Sequence, residues 1–515
     1  MGTVTMYTPK DLERVTEKMA GIVRQAQLET LSKVEPSGKE RADVLERIRA
    51  FIKRKKRVVY GGTALNALVK RIDPADAIYA DDPSSEDYEK SKDIEFFSPY
   101  VAEDVQELCD EFDAAGYPFV EAKMALHDNT YAISVNLVRY CDVTFMPQIA
   151  FRALPVVQID GLAYVHPHFA VIDYFRVLND PLISFFRLDK DFKRLYVLQK
   201  HFPFQRPANK PADQIDAVAP LGRPRPADAD ALAARVLAEW LHERQTAVCV
   251  GYVAYAYFMD LAGLLEDTRA GLRQVEVITT DFAADAKSLY EFLRAAAAPD
   301  RVQYREHLRF YDFWSNRGVF TLDGYDLFVL HDYNHRCVPF LGPVKIDAAA
   351  APNSTASLGT FTVCVMMLLM QHFWHATRKN AAAQAACMNM VCDLYEARNR
   401  YLAAKGATLL DDTPFKELVI PCVGKPMSVM RARMLRVKNR MRRGQVVMLK
   451  YAPRQRDKID PAQVKFDNLT GDVVKNPKLM LFVPPQQTPQ QPPGPPPPQP
   501  PPPPPRPRPR PSASG

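Results

Sequence analysis

At 515 residues, 47% apolar and 25% charged, the chain has room for two or three domains with a sizeable core, and its composition is not that of a fibrous or disulfide-dense protein. The net charge of +7 is modest, but the basic residues concentrate in two places, which points to a phosphate-bearing partner. No apolar run approaches a membrane span, and the start MGTVTMYTPKDLERV has no apolar segment after a basic opening, so a membrane anchor and a secretory signal are not expected. Eight cysteines, scattered from Cys109 to Cys422 without a CxxC pair, predict buried free thiols and no zinc site.

In chain order, Thr8 and Pro9 open a first helix as N-cap and first helical residue, and Ser37 with Glu40 opens a second. That helix ends in the first basic run, Lys53 to Arg57, where Lys53, Arg54 and Lys55 are candidate RNA contacts. "RVVY" then reads as a buried strand and "GGTALNALV" as a tight turn into a helix. A Gly-Gly turn lets the backbone pass close to a ligand, and the helix start behind it offers unpaired N–H groups and a positive dipole end, which suits an anion. "DIEFFS" (93–98) and "TYAISVNLVRYCDVTFM" (130–146) supply further strands.

Asp93 and Glu95 alternate on their strand, so both carboxylates share one face, and Asp142 stands on a neighbouring strand. Grouped carboxylates repel unless a cation neutralises them, and hard oxygen ligands favour Mg2+ or Mn2+. Three such acids can hold two metal ions about 3.5–4 Å apart, the arrangement that clamps the attacking and leaving oxygens of a phosphoryl transfer. Beyond residue 165 the pattern is mostly helical. Arg187, Lys190 and Arg194 fall on one face of the segment "PLISFFRLDKDFKRLYVLQKHF", where they either oppose a triphosphate or pair with Asp189 and Asp191.

Residues 206–230 read as a linker. A second, weaker pass through the pattern follows, with Gly251 in the place of the glycine turn. Spacing puts Asp281 opposite Asp93, Ala283 opposite Glu95, and the acid-free "CVPFLG" (337–342) opposite the strand of Asp142, so this copy is expected to hold no metals. The region from Lys425 to Arg456 has many Lys and Arg and no acid, and Arg436, Arg440 and Arg443 within it are candidate RNA contacts. From 484 onward the chain is almost all Pro and Gln before "RPRPRPSASG", an extended arm that could touch RNA or dock on another protein. The segmentation is therefore 1–205 for the catalytic domain with its N-terminal helices, 206–230 for the linker, 231–483 for the degenerate domain with the basic region, and 484–515 for the disordered tail.

The glycine turn, the D-x-E pair and the later Asp resemble the polymerase-β-like nucleotidyltransferase superfamily. The longer wording "YGGTALNALV", "DIEFFSP", "HDNTYAISVNLVRYCDVTFMP" and "HPHFAVIDYFRVLNDPLISFF" is similar to the poly(A) polymerase catalytic subunits of large cytoplasmic DNA viruses, from residue 1 to about 483. The resemblance implies an α/β (α+β) fold with a polymerase-β-like catalytic domain and a degenerate second copy. It also implies template-independent addition of AMP from ATP to the 3′ end of mRNA, homodimerisation, and a place in the host cytoplasm or the virion. By position, Gly61, Gly62 and Thr63 would hold the triphosphate, and Asp93, Glu95 and Asp142 would bind two Mg2+ or Mn2+ ions. Glu95 departs from the Asp that many members carry, which leaves the metal preference open. A uridylyl- or CCA-adding enzyme and a catalytically inactive RNA-binding partner are the alternatives, and the intact acids speak against the second.

Overall fold

A computed structural model describes residues 6–454 apart from 35, 80–92, 128, 208–224, 243, 265–273, 308, 310–314 and 349–350, together with 461, 464, 473 and 474. Most of the linker and the whole proline-rich tail fall outside the described residues. Residues 1–475 form one unit.

Its first half runs α1 (Pro9–Lys33), α2 (Gly38–Lys55), β1 (Val58–Tyr60), α3 (Gly61–Ile72), β2 (Ile94–Ser98), α4 (Val101–Ala114), β3 (Glu121–Met124), β4 (Thr130–Val135), β5 (Val138–Phe145), α5 (Gln148–Ala153), β6 (Val156–Ile159), β7 (Leu162–Val165), α6 (Pro167–Leu178), α7 (Pro181–Ser184) and α8 (Leu188–His201). Thr8 caps α1 reciprocally with Asp11, and Ser37 caps α2 by accepting from the Glu40 N–H, as their sequence signatures predict. The strands align as β3-β4-β5-β2-β1-β7-β6, with β2 and β5 parallel. Apolar side chains such as Phe51, Phe96, Phe112 and Tyr131 fill the layer between this sheet and α2 and α4.

The second half contains α9 (Ala229–Arg235), β8 (Ala247–Val250), α10 (Gly251–Leu261), β9 (Val275–Thr279), α11 (Phe282–Ala296), β10 (Val302–His307), β11 (Arg317–Leu322), β12 (Tyr325–Asp332), β13 (Val338–Ala348), β14 (Ala351–Gly359), α12 (Phe361–Thr377), α13 (Ala381–Lys405), β15 (Cys422–Val423) and α14 (Val429–Arg442). Two short strands follow, β16 (Lys450–Tyr451) and β17 (Val473–Val474). The second sheet has the order β15-β13-β14-β8-β9-β12-β11-β10-β17. The apolar helix α12 joins the halves: Phe373 packs edge-on against Phe169 of α6, and the Thr362 hydroxyl donates to Asn179 at 2.7 Å.

The internal duplication is visible strand by strand. Tyr60, Glu95 and Asp142 lie in line across β1, β2 and β5, and Val250, Glu276 and Val329 lie in line across β8, β9 and β12. In one copy the Ser98 hydroxyl accepts from the Tyr100 N–H and donates to Asp104; in the other, the Thr279 hydroxyl accepts from the Asp281 N–H and donates to Asp285. This geometry corrects the register drawn from spacing. Asp281 matches Tyr100, not Asp93, and the counterparts of Asp93, Glu95 and Asp142 are Gln274, Glu276 and Val329. Spacing fails because the connections after the two glycine-led helices differ in length.

Two further expectations change. Cys337, just before β13, and Cys422 of β15, 85 residues apart, form a disulfide, while the other six cysteines are free as expected. Adjacency of antiparallel strands brings them together, which spacing in the sequence does not reveal. The chain after α14 also leaves the second sheet: β16 pairs with β3 at the edge of the first, the Tyr131 hydroxyl donates to the Met448 carbonyl at 2.7 Å, and Tyr451 donates to Asp110 at 2.6 Å. The basic region is thereby delivered to the first sheet although it follows the second in sequence.

Candidate active site

Gly61 has φ +68°, and a Cβ built there would lie 1.7 Å from Glu95 Oε2, so only glycine lets β1 turn into α3 against that carboxylate. The Gly62 N–H donates to Glu95 Oε2 at 3.3 Å. A Cβ on Gly62 would meet the Tyr79 hydroxyl at 2.1 Å. Thr63 uses its hydroxyl to donate to the Asp93 carbonyl at 2.9 Å, tying the first turn of α3 to the start of β2.

The parallel pairing of β2 with β5 sets Glu95 beside Asp142. Asp93 is exposed at the strand's entrance, Glu95 is partly buried and Asp142 is buried. Burial pushes the Glu95 carboxyl up to about 7, and the Asp142 charge adds to the shift; the Gly62 N–H and the guanidinium groups of Arg187 and Arg194 pull against it. Asp93 and Asp142 are also raised, in each case chiefly by burial and with Arg139 opposing. Carboxyl groups are hard oxygen donors of the kind a divalent cation takes, but among the described residues the ligand atoms of Asp93, Glu95 and Asp142 do not all lie within 4.8 Å of one another.

The cationic face predicted for residues 187–194 turns toward these acids. Lys190 draws the Asp93 carboxyl down, and Arg194 donates to the Tyr79 hydroxyl at 3.0 Å next to the glycine turn. Of the two alternatives drawn from sequence, the pairing with acids is seen for Arg187 with Asp191 at 3.0 Å and for Lys193 with Asp189 at 2.9 Å.

A pH dependence follows. A carboxyl whose folded value exceeds its unfolded one binds more protons in the folded state, so folded stability declines as pH rises from about 4.5 to about 7 for Glu95. In chelator, the melting temperature of Glu95→Gln relative to the native chain is expected to increase across that interval. Parallel melting curves for the two proteins would remove Glu95 from the strained set.

The second copy is arranged otherwise. Gly251 repeats the turn at φ +62°, and Glu276 approaches it as Glu95 approaches Gly61. Here, however, Gln371 donates to both Glu276 oxygens at 2.9 and 2.7 Å, and the His331 ring lies 3.1 Å away. Burial raises the Glu276 carboxyl, but His331, Gln371 and the half-buried Arg317 outweigh it and leave it below its ordinary value. One satisfied carboxylate beside Gln274 and Val329 makes no metal site, so the expected lack of chemistry stands on different residues.

The basic candidates divide sharply. Arg54 is paired with Glu107 and Glu111, and Lys55 with Glu107, so their charge is largely met by α4; the Lys53 side chain lies against Gly161. Arg440 is a correction: it is 4% exposed and its guanidinium donates to Asn129, which makes it an anchor of α14 on the first sheet. Arg436 donates to the Leu126 carbonyl at 3.2 Å, and Arg443 is the exposed C-cap of α14. The exposed face of α14 instead carries Arg431, Lys438 and Arg442 among Met434, Leu435 and Met441. Helical spacing within "MRARMLRVKNRMRR" could have separated the two faces, had the docked side been known.

Among the described residues, Asp73, Asp76 and His201 are the one set of three acid or imidazole ligand atoms within 4.8 Å of one another. Asp76 is already bound by Lys200 and His201.

The sequence model described as "Poly(A) polymerase catalytic subunit" matches residues 46–184, and one for the C-terminal part of the mimivirus-type catalytic subunit matches 237–483. A solved structure, the Megavirus polyadenylate synthase, superimposes with a TM-score of 0.79 at 30% identity, covering 94% of this chain and 95% of that one. This chain belongs to the poly(A) polymerase catalytic subunit family. It is 29% identical to the catalytic subunit named for Acanthamoeba polyphaga mimivirus, over 93% of this chain and 85% of that protein. A catalytic subunit of African swine fever virus (isolate Pig/Kenya/KEN-50/1950) is 29% identical over 33% of this chain and 35% of its own. The chain is therefore a polynucleotide adenylyltransferase of the viral type, and membership implies nucleotidyl transfer to RNA from ATP with divalent cations.

Proposed function

We propose that Asp93, Glu95 and Asp142 form the catalytic centre through which this chain adds AMP from ATP, without a template, to the 3′ end of mRNA. The observation that carries this reading is the pairing of Glu95 with Asp142 across β2 and β5 directly beneath the Gly61–Gly62 turn. The first turn of α3 offers backbone N–H groups to the triphosphate, and Arg187, Lys190 and Arg194 stand where negative charge develops on departing pyrophosphate. The RNA 3′-oxygen bonds to the α-phosphorus of ATP, the bond from that phosphorus to the α–β bridging oxygen breaks to release pyrophosphate, and the hydroxyl proton passes to water. Two divalent cations, Mg2+ or Mn2+, held by the three carboxylates would supply a lowered hydroxyl pKa and charge neutralisation at the triphosphate.

The test is a short RNA primer incubated with each nucleotide separately and Mg2+ or Mn2+. Extension with ATP alone is expected; equal use of UTP or CTP would redirect the chain to another RNA nucleotidyltransferase, and no extension would favour an inactive RNA-binding protein.

For RNA we assign the exposed face of α14. Changing Arg431, Lys438 and Arg442 together to Glu is expected to weaken binding across sequences. At about 0.7 per phosphate on a single strand, it should reduce the log–log salt slope by about two. An unchanged slope in a filter-binding titration would place the RNA elsewhere.

A further inference from the structure

Asp142 is already engaged, and its partner is placed by an irregularity of the sheet. In the β4–β5 pair, Ile133 faces Cys141 and Ser134 faces Arg139, so Tyr140 is an extra residue on β5. Three positions apart on a regular strand, Arg139 and Asp142 would project to opposite faces; the extra residue brings Arg139 round to the face of the acids. There its Nε donates to Asp142 Oδ1 at 2.9 Å and a terminal nitrogen donates to Oδ2, a bidentate pair that occupies both oxygens.

Exposure is unequal across the pair: the Asp142 side chain is 5% exposed and that of Arg139 48%. A buried carboxylate cannot be left unpaired without penalty, whereas a half-exposed guanidinium can turn into water. The bond is therefore one that can be exchanged from the arginine side.

We propose that Arg139 is an internal counter-cation, a latch that holds Asp142 in the metal-free enzyme and must release it before a divalent cation can be bound. The inference rests on the assignment of Asp142 as a metal ligand. Arg139 then acts as a positioning residue: it keeps the carboxylate charged and oriented, and metal affinity is lowered by the strength of the bond that has to break. The displaced guanidinium remains on the acid-facing side of β5, where phosphate oxygens of the substrates would be its next partners.

The experiment is a Mn2+ titration of the nucleotide-free full chain, read by the spin-resonance signal of free Mn2+, with melting temperatures in chelator as a second readout. Arg139→Gln is expected to bind Mn2+ about tenfold or more tightly than the native chain, the order of effect of a charge-assisted hydrogen bond. It should also melt lower in chelator and gain more on adding Mn2+. Arg139→Lys, which keeps the charge but not the fork, should fall between them and guards against a Gln variant that folds poorly. Asp142→Asn separates the two ideas. If Asp142→Asn weakens Mn2+ binding but neither Arg139 variant strengthens it, the latch is wrong and the metal assignment survives. If Asp142→Asn leaves Mn2+ binding unchanged, the metal assignment fails and the latch fails with it.

Discussion

Replacing Asp93 or Asp142 with alanine is expected to lower single-turnover AMP addition at least about 10² to 10³-fold, the range for loss of one electrostatic stabiliser, while the protein stays folded. Asp93 is exposed at the start of β2, so truncation there removes a ligand without opening a cavity. Loss of the Asp142 carboxylate frees a half-exposed arginine, which water can solvate, and relieves Glu95 of its nearest like charge. Retained circular dichroism and a melting temperature close to the native one would accompany the lost activity. Asp281→Ala is the control, because that residue sits at the entry of α11 in the position of Tyr100 and not in any acid cluster. Near-native addition by folded Asp93→Ala and Asp142→Ala would exclude the assignment, and an equally inactive, folded Asp281→Ala would mean that the second copy takes part in chemistry.

What the sequence made legible was local. The glycine turn and the capping residues of α1 and α2 depend on neighbours within a few residues and are found where their patterns placed them, whereas Asp93 lies one residue before β2 and a 3-10 turn at Phe185–Arg187 leaves Arg187 outside α8. Features that depend on which strand lies beside which were not legible. The true counterpart of Glu95 in the second copy, Glu276, is set by pairing with Val250 and Val329, and loop lengths had shifted the apparent match to Ala283. The Cys337–Cys422 bond and the return of residues 445–451 to the first sheet have the same origin. Charge was the least reliable guide. Arg54, Lys55 and Arg440 look alike in sequence, yet their charge is answered by Glu107 and Glu111 or enclosed against Asn129, a distinction that only the packed neighbours create.

Gly61→Ala and Gly251→Ala offer a comparison in which backbone strain is the same and chemistry is not. Both glycines start a helix at positive φ, +68° and +62°, where an alanine costs roughly 1–2 kcal/mol. Each variant should therefore lose a similar amount of stability from the backbone, with the closer contact at Gly61 adding to its loss. At Gly251 the added carbon would lie 2.7 Å from Glu276 Oε1, pressing on a carboxylate that Gln371 and His331 hold and that no reaction uses. At Gly61 it would lie 1.7 Å from Glu95 Oε2, so either Glu95 must leave its place beside Asp142 or the turn beneath the triphosphate must move. Both adjustments damage the arrangement on which transfer depends, and displacements of about 1 Å cost about 10² in rate. The expected outcome is a loss of about 10²-fold or more in AMP addition for Gly61→Ala at a temperature where both variants remain folded, with Gly251→Ala within a few-fold of the native rate. Equal rates for the two folded variants would show that the close approach of Gly61 to Glu95 serves packing alone, as it does in the second copy.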